Sequence, residues 1–316
     1  MKSIEISSIL SLFPNDRLIR NNVSGSVNGA ISIQQAKKNE NPTKISWIND
    51  KNSDLVNPDE LTLGLLLLTP TSYEKLKSAE CNFLIVSNPR ASFFKIIKEH
   101  FTSLKRAPKI EKSAFVHPSS KIGAGCYIGY GVVVEENCVV GDDSVILHNT
   151  CILAGTQIGN RVTIGCNNTI GNYGFGYEKD EHGDYNLLEH IGHVIIRDHV
   201  EIHNNTCIDR GVLDNTEIHE NVKIDNLVHI AHGVVIERNS LVIANAMVAG
   251  STHIGENSWI APSASLKNKI NIAPNTYIGI GSVVLKNTTE NETYIGNPAV
   301  TLEEYKKWSE TKKKLS

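Results

Sequence analysis

Proton transfer at neutral pH calls for imidazole, and this chain gathers imidazoles, a carboxylate and a carboxamide in one short stretch. The segment reads Lys223-Ile-Asp225-Asn226-Leu-Val-His229-Ile-Ala-His232-Gly233. A side chain whose ordinary pKa lies near 6.5 can take a proton from an attacking nucleophile in that range. Upstream stand Cys207-Ile-Asp209-Arg210-Gly211 and Gly174-Phe-Gly-Tyr177. Which of these side chains meet depends on the elements that carry them.

Those elements follow from a six-residue beat. Aliphatic residues recur at every sixth position from Ile110 to Ile170, then at Ile196, Ile202 and Ile208, then from Ile218 to Val284. A period of six fits neither a helix nor a flat amphipathic sheet. The fourth residue after each aliphatic is usually small or β-branched (Ser120, Cys126, Ser144, Thr150, Thr156, Ser240, Ala246, Thr252). It lies two residues before the next aliphatic, so both point to one face of a short strand. Gly, Asn and Asp occupy the intervening turns, as Gly123, Gly125, Gly141 and Asp142 do. Short strand and turn in alternation predict a β-solenoid.

The beat breaks twice, and solenoids place function in such insertions. Asn172 to Val194 leaves the repeat with aromatics, charges and three histidines; Asp209 to Thr216 is a shorter break, with a spacing of ten residues between Ile208 and Ile218. His232 takes the third position of its hexad, outward and at a turn.

Composition narrows the classes. The chain has 316 residues with 31 basic and 34 acidic side chains, a balance that argues against a binder of nucleic acid relying on phosphate neutralisation. Leu61–Thr69 is too short to span a bilayer and reads as a buried strand. Glu5 interrupts the first apolar stretch, so no secretory signal is expected and a cytoplasmic location is. The six cysteines include no C-x-x-C, and Cys126 and Cys138 fill the inward small-residue slot. No metal and no cofactor are expected. His193 and His199 fall on successive faces, and His199 with His203 lies on no helix that would align them.

Residues 1–106 carry no hexads and read as an α/β domain. Strands are expected at Lys44–Ile48 and Asn82–Ser87, then a helix over Ala91–Phe101 capped by Ser87 or Asn88 with Pro89 in its first turn. Ala107-Pro108 marks the passage into the repeats at 107–299, and residues 300–316 form a short basic helical tail.

The hexads resemble those of acyltransferases built on a left-handed parallel β-helix. In that superfamily three hexads make one triangular coil, so residue n lies beneath residue n+18. The strings around Gly174, Cys207 and Lys223, with Ile33-Gln-Gln-Ala36, Lys44-Ile-Ser-Trp47 and Val86-Ser-Asn-Pro89, are similar to the UDP-3-O-acylglucosamine N-acyltransferase family of lipid A assembly. The resemblance implies a mainly β fold, a nucleotide-binding N-terminal domain and a homotrimer. It also implies transfer of an acyl group from a 3-hydroxyacyl carrier protein to the amine of a nucleotide-activated amino sugar. His232 matches the family's general base. The 18-residue column then places Gly250, whose N–H suits an oxyanion, and Asn268, where the family usually has a second histidine. Asp225, Asn226 and His229 are expected to orient His232 or to bind sugar and diphosphate. Trp47 matches an aromatic that stacks on uracil, and Asn49 begins a stretch that follows the family's contacts loosely.

A second reading stays open. Tyr294-Ile-Gly-Asn-Pro-Ala299 resembles the ending of acetyl-coenzyme A-dependent hexapeptide enzymes, and the tail is shorter than the one lipid A enzymes use to dock their carrier. An N-acetyltransferase using a coenzyme A thioester on a nucleotide-linked amino sugar for surface polysaccharide fits those features. So does a non-catalytic scaffold, if His232 does no chemistry.

Overall fold

The computed structural model describes residues 3–21, 23–101 and 106–315. The chain divides into two units, Met1–Arg106 and Ala107–Ser316.

In the first unit a five-stranded sheet runs in the order Arg17–Ile19, Glu80–Ile85, Thr62–Leu68, Lys44–Trp47, Gly29–Ala30. The Arg17–Ile19 edge strand is antiparallel to its neighbour and the other pairings are parallel. Thr62–Leu68 is buried at every residue, as a strand covered on both faces must be. The helix after Glu80–Ile85 spans Pro89–Ile96, two residues earlier than the sequence suggests, because Pro89 supplies its first turn. Asn88 caps it, its Oδ1 accepting from the Ala91 N–H at 3.1 Å, and a wider π turn continues over Ile97–Phe101. Asn49 likewise caps the short helix Asp50–Ser53.

The second unit is a left-handed parallel β-helix with three faces of eleven, nine and eight strands. Most strands are two residues long, and each pairs in register with one 18 residues on, as Tyr127 with Val145 and Leu241 with Trp259. The six-residue aliphatics form the core: Ile128, Ile146, Ile164, Ile202, Ile224, Val242, Ile260 and Ile278 run down the first face and are all buried. Between them the small inward residues close the coils. Ser144 Oγ donates to Gly159 O at 3.0 Å and accepts from Val162 N at 3.0 Å; Thr150 does the same with Gly165 and Asn168. A hydroxyl fits this slot because it satisfies both coils without added volume.

The corners need left-handed backbone. Asn149 (φ 57°), Asn239 (φ 60°) and Asn257 (φ 58°) supply it, with Gly131 and Gly155 where a Cβ would fall 2.5 Å from the side chains of Asn149 and His193. Leu227, His199 and Lys269 hold the same conformation without being turn-formers, so the coil imposes it there.

The breaks do not interrupt the ladder. Thr169 pairs with Cys207 across 38 residues and Cys207 with His229 across 22, after which His229 pairs with Met247 at the ordinary 18. The extra residues, twenty and then four, bulge from the coil while the strands keep register. In the first bulge an antiparallel hairpin pairs Tyr177–Lys179 with Tyr185–Leu187. The C-terminal helix spans Leu302–Leu315. No described helix is long and apolar enough to cross a membrane.

Candidate functional site

One edge of the β-helix collects the chemistry. The second face stacks Thr169–Asn172, Cys207–Asp209, His229–Ile230, Met247–Val248 and Ser265–Leu266. After each strand the chain turns toward the third face. On successive coils that turn contains the long break, the short break, His232, Gly250 and Asn268. Both breaks therefore lie on the same edge as His232, one and two coils away.

The column is bonded rung to rung. Ser251 N–H donates to His232 O at 2.9 Å and Lys269 N–H to Gly250 O at 3.0 Å. Gly233 N–H, directly after His232, donates to Thr216 Oγ1 at 2.8 Å and fixes the turn. The imidazole of His232 lies over Gly250: a Cβ on Gly250 would fall 2.6 Å from Cε1 and 2.7 Å from Nε2. Glycine is required here by the ring above it. Among the described residues the Gly250 N–H has no acceptor. Asn268 is exposed on the next coil.

The long break returns over the other side of the ring. A Cβ on Gly174 would come within 3.0 Å of both Cβ and Cδ2 of His232. His190, 2% exposed, sets its ring edge-on to that of His232, with centroids 5.8 Å apart and planes at 86°. Burial holds the pKa of His232 below its ordinary value of 6.5. Positive charge on His190, His229 or Lys269 adds to this, and Asp209 opposes it.

Beneath lies an ion pair. His229 Nε2 is 3.0 Å from Asp209 Oδ2, a carboxylate buried by the short break. That hydrogen bond raises the pKa of His229 against the opposing effect of burial. Cys207 donates to the other oxygen at 3.7 Å; burial and the same carboxylate push its thiol up to about 11, leaving it unreactive.

Not every residue singled out in the sequence meets His232. Asp225 and Asn226 sit at a different edge, between the first and second faces. Asp225 Oδ1 accepts from the Asn226 backbone at 2.8 Å and its Oδ2 from Ala244 N at 3.2 Å, while Asn226 Oδ1 accepts from Asn204 N at 3.0 Å. Their side chains knit coils together, so orienting His232 is not their role. His229 touches Asp209 instead of His232. Trp47 and Asn49 belong to the first unit, where Trp47 is half-buried against the core and Asn49 Oδ1 accepts from Asn52 N at 3.0 Å. Conversely, Asp209, Gly174 and His190 join the site without having been assigned a role from sequence. The signal for them was the pair of irregular spacings that put both breaks on one edge. No group of three or more His, Cys, Asp or Glu among the described residues is arranged to hold a metal ion.

Known proteins share these features in part. A family model described as bacterial transferase hexapeptide (six repeats) matches residues 215–250, and one described as the GMPPB C-terminal domain matches residues 110–175. A UDP-3-O-acylglucosamine N-acyltransferase of Wolinella succinogenes is 38% identical over 150 residues, 48% of this chain and 46% of that protein. Its counterpart from a Caulobacter species is 37% identical over 48% of this chain and 43% of its own. The chain spans about half the length of the curated relatives it matches. A solved UDP-N-acetylglucosamine acyltransferase from Bacteroides fragilis superposes with a TM-score of 0.56 at 26% identity, covering 61% of this chain and 73% of that one. Over about half its length, then, the chain resembles UDP-3-O-acylglucosamine N-acyltransferases, and it carries the hexapeptide repeat.

Proposed function

We propose that this protein is an N-acyltransferase that moves an acyl group from a thioester donor, a 3-hydroxyacyl carrier protein, to the amine of a UDP-linked glucosamine derivative. The observation that carries this reading is the His232 imidazole lying over Gly250, whose N–H has no acceptor among the described residues. The relatives' names supply the substrate class.

The geometry supports the following chemistry. His232 removes a proton from the amine as nitrogen attacks the thioester carbonyl. The carbonyl electrons collect on an oxyanion that the Gly250 N–H stabilises, a contribution of roughly 3–4 kcal/mol. Collapse expels the thiolate, which takes the proton back from His232. A depressed pKa keeps His232 in its free-base form at neutral pH, as the first step demands. Asn268, one coil on, donates to the thioester or product amide. The His229 imidazolium, held by Asp209, suits a diphosphate oxygen, and Asp225 and Asn226 bound the approach from the neighbouring edge. In the first unit, Trp47 offers an aromatic face to the base and Asn49 a carboxamide. The resemblance adds assembly as a homotrimer.

A donor panel tests this. Purified protein is given a UDP-acylglucosamine acceptor with either 3-hydroxyacyl carrier protein or acetyl-coenzyme A. Turnover with the carrier protein supports the proposal; turnover with acetyl-coenzyme A alone replaces it with the N-acetyltransferase reading, and none with either overturns both.

A further inference from the structure

We propose that His190 is a positioning residue for His232: its Nε2 lone pair accepts the Nδ1–H of the His232 ring, leaving Nε2 of His232 free over Gly250. The role of His232 as base rests on the acyl-transfer reading. The bond between the two rings does not.

Two complementary deficits point to it. His190 Nδ1 is 2.6 Å from Leu188 O, and a carbonyl only accepts, so Nδ1 carries the hydrogen. In a neutral ring Nε2 is then a bare acceptor. It is buried and has no hydrogen-bond partner, an arrangement native interiors avoid unless the group has work elsewhere. His232 has the opposite lack. Neither of its ring nitrogens bonds to another described residue, although a catalytic imidazole is ordinarily oriented by an acceptor on its second nitrogen.

Both rings border the same space above Gly174, and with centroids 5.8 Å apart they need only approach by roughly half an ångström to bond. The Cβ position of Gly174 lies 3.0 Å from His232 Cδ2 and 3.2 Å from His190 Nε2. A half-turn of the His232 ring exchanges Cδ2 with Nδ1 and Cε1 with Nε2 while leaving its outline unchanged. The N–H then points where Cδ2 now faces. Nε2 stays over Gly250, because Cε1 and Nε2 are nearly equidistant from its Cβ position, at 2.6 and 2.7 Å.

His190 is itself held by both breaks of the repeat. Ile191 N–H donates to Val212 O at 2.8 Å, joining the two insertions. Arg210 Nε donates to Gly171 O at 2.7 Å and its guanidinium lies 5.7 Å from the Tyr173 ring, which packs edge-on against His190 at 5.3 Å. The other charged groups that act on His232 are the Asp209–His229 pair and Lys269.

The test is an NMR titration of the full chain with 15N-labelled histidine. In the wild type, both His190 and His232 should carry hydrogen on Nδ1; a hydrogen on His190 Nε2 overturns the proposal without any variant. Losing the acceptor in His190→Leu should lower the pKa of His232 by roughly 0.5–1 unit, and His190→Gln, which keeps an acceptor, should restore most of it. An unchanged or raised pKa in both variants overturns the proposal, since removing a merely repulsive neighbour would raise it. In the carrier-protein assay His190→Leu should lose about tenfold in kcat with KM for the sugar unchanged, and His190→Gln less. Equal losses in the two, with the titration unmoved, mark His190 as packing alone. If no acyl transfer is found, the titration still decides the ring-to-ring bond.

Discussion

Replacing Gly250 by alanine should disable the site through a single methyl group. The new Cβ would lie 2.6 Å from His232 Cε1 and 2.7 Å from Nε2, at least about 0.7–0.8 Å short of an ordinary 3.4 Å contact. The backbone on both coils is tied by the Ser251-to-His232 and Lys269-to-Gly250 hydrogen bonds, so the imidazole must move instead of the turn. A displacement approaching 1 Å of a proton-accepting nitrogen costs on the order of 10²-fold in rate. We expect kcat to fall by about that factor, KM for the nucleotide sugar to stay near its original value, and the thermal midpoint to shift by no more than a few degrees. Gly250 needs no left-handed backbone, so alanine adds no torsional strain. Gly281→Ala is the matching control. It sits at φ 64° with nothing within 4 Å of its Cβ position, so it should lose roughly 1–2 kcal/mol of stability and keep its turnover. Steady-state kinetics and thermal melts on the two variants read both effects. Turnover of Gly250→Ala within about threefold of wild type would refute the placement of His232, and so would a loss of activity explained by unfolding.

His232→Ala should lower kcat by roughly 10²–10⁴ while calorimetry shows nucleotide-sugar binding nearly intact; near-normal turnover removes His232 as the base. The rising limb of kcat/KM against pH should have its midpoint below 6.5, because burial lowers the pKa of His232. Asp209→Asn removes a charge that raises that pKa, so the limb should move to still lower pH; a shift upward contradicts the assignment. The same variant should cost stability on the acid side. His229 has a raised folded pKa, so its stabilisation is full below the unfolded value near 6.5 and fades as pH rises through the folded one. Melts at pH 6 should therefore separate Asp209→Asn from wild type more than melts at pH 9. If Trp47 stacks on the base, Trp47→Leu should raise KM for the nucleotide sugar roughly tenfold or more without changing kcat, and Trp47→Phe should recover most of it; equal KM in both variants assigns Trp47 to packing.

The repeat was legible because its cause is local. Each hexad must turn a corner and bury one aliphatic, so Ile146 or Val242 announces itself from its own neighbours, and the 18-residue stack follows once three hexads close a coil. That is why His232, Gly250 and Asn268 form one column in the structure as in the sequence. Asp225 and His229 show the limit. They are four residues apart, yet a corner separates them, and corners send neighbouring side chains to different edges. The partners of Asp225 are Ala244, Asn226 and His203, and that of His229 is Asp209.

The sequence by itself determined the solenoid, its inward rows and the candidate base, since periodicity reports burial directly. Only the tertiary structure decided what surrounds that base. Ladder register across 38 and 22 residues carries both insertions onto one edge, and their mutual hydrogen bond brings His190 and Gly174 against His232. No local rule encodes that contact, because it depends on where two irregular segments fold back after the regular coils have set their ends.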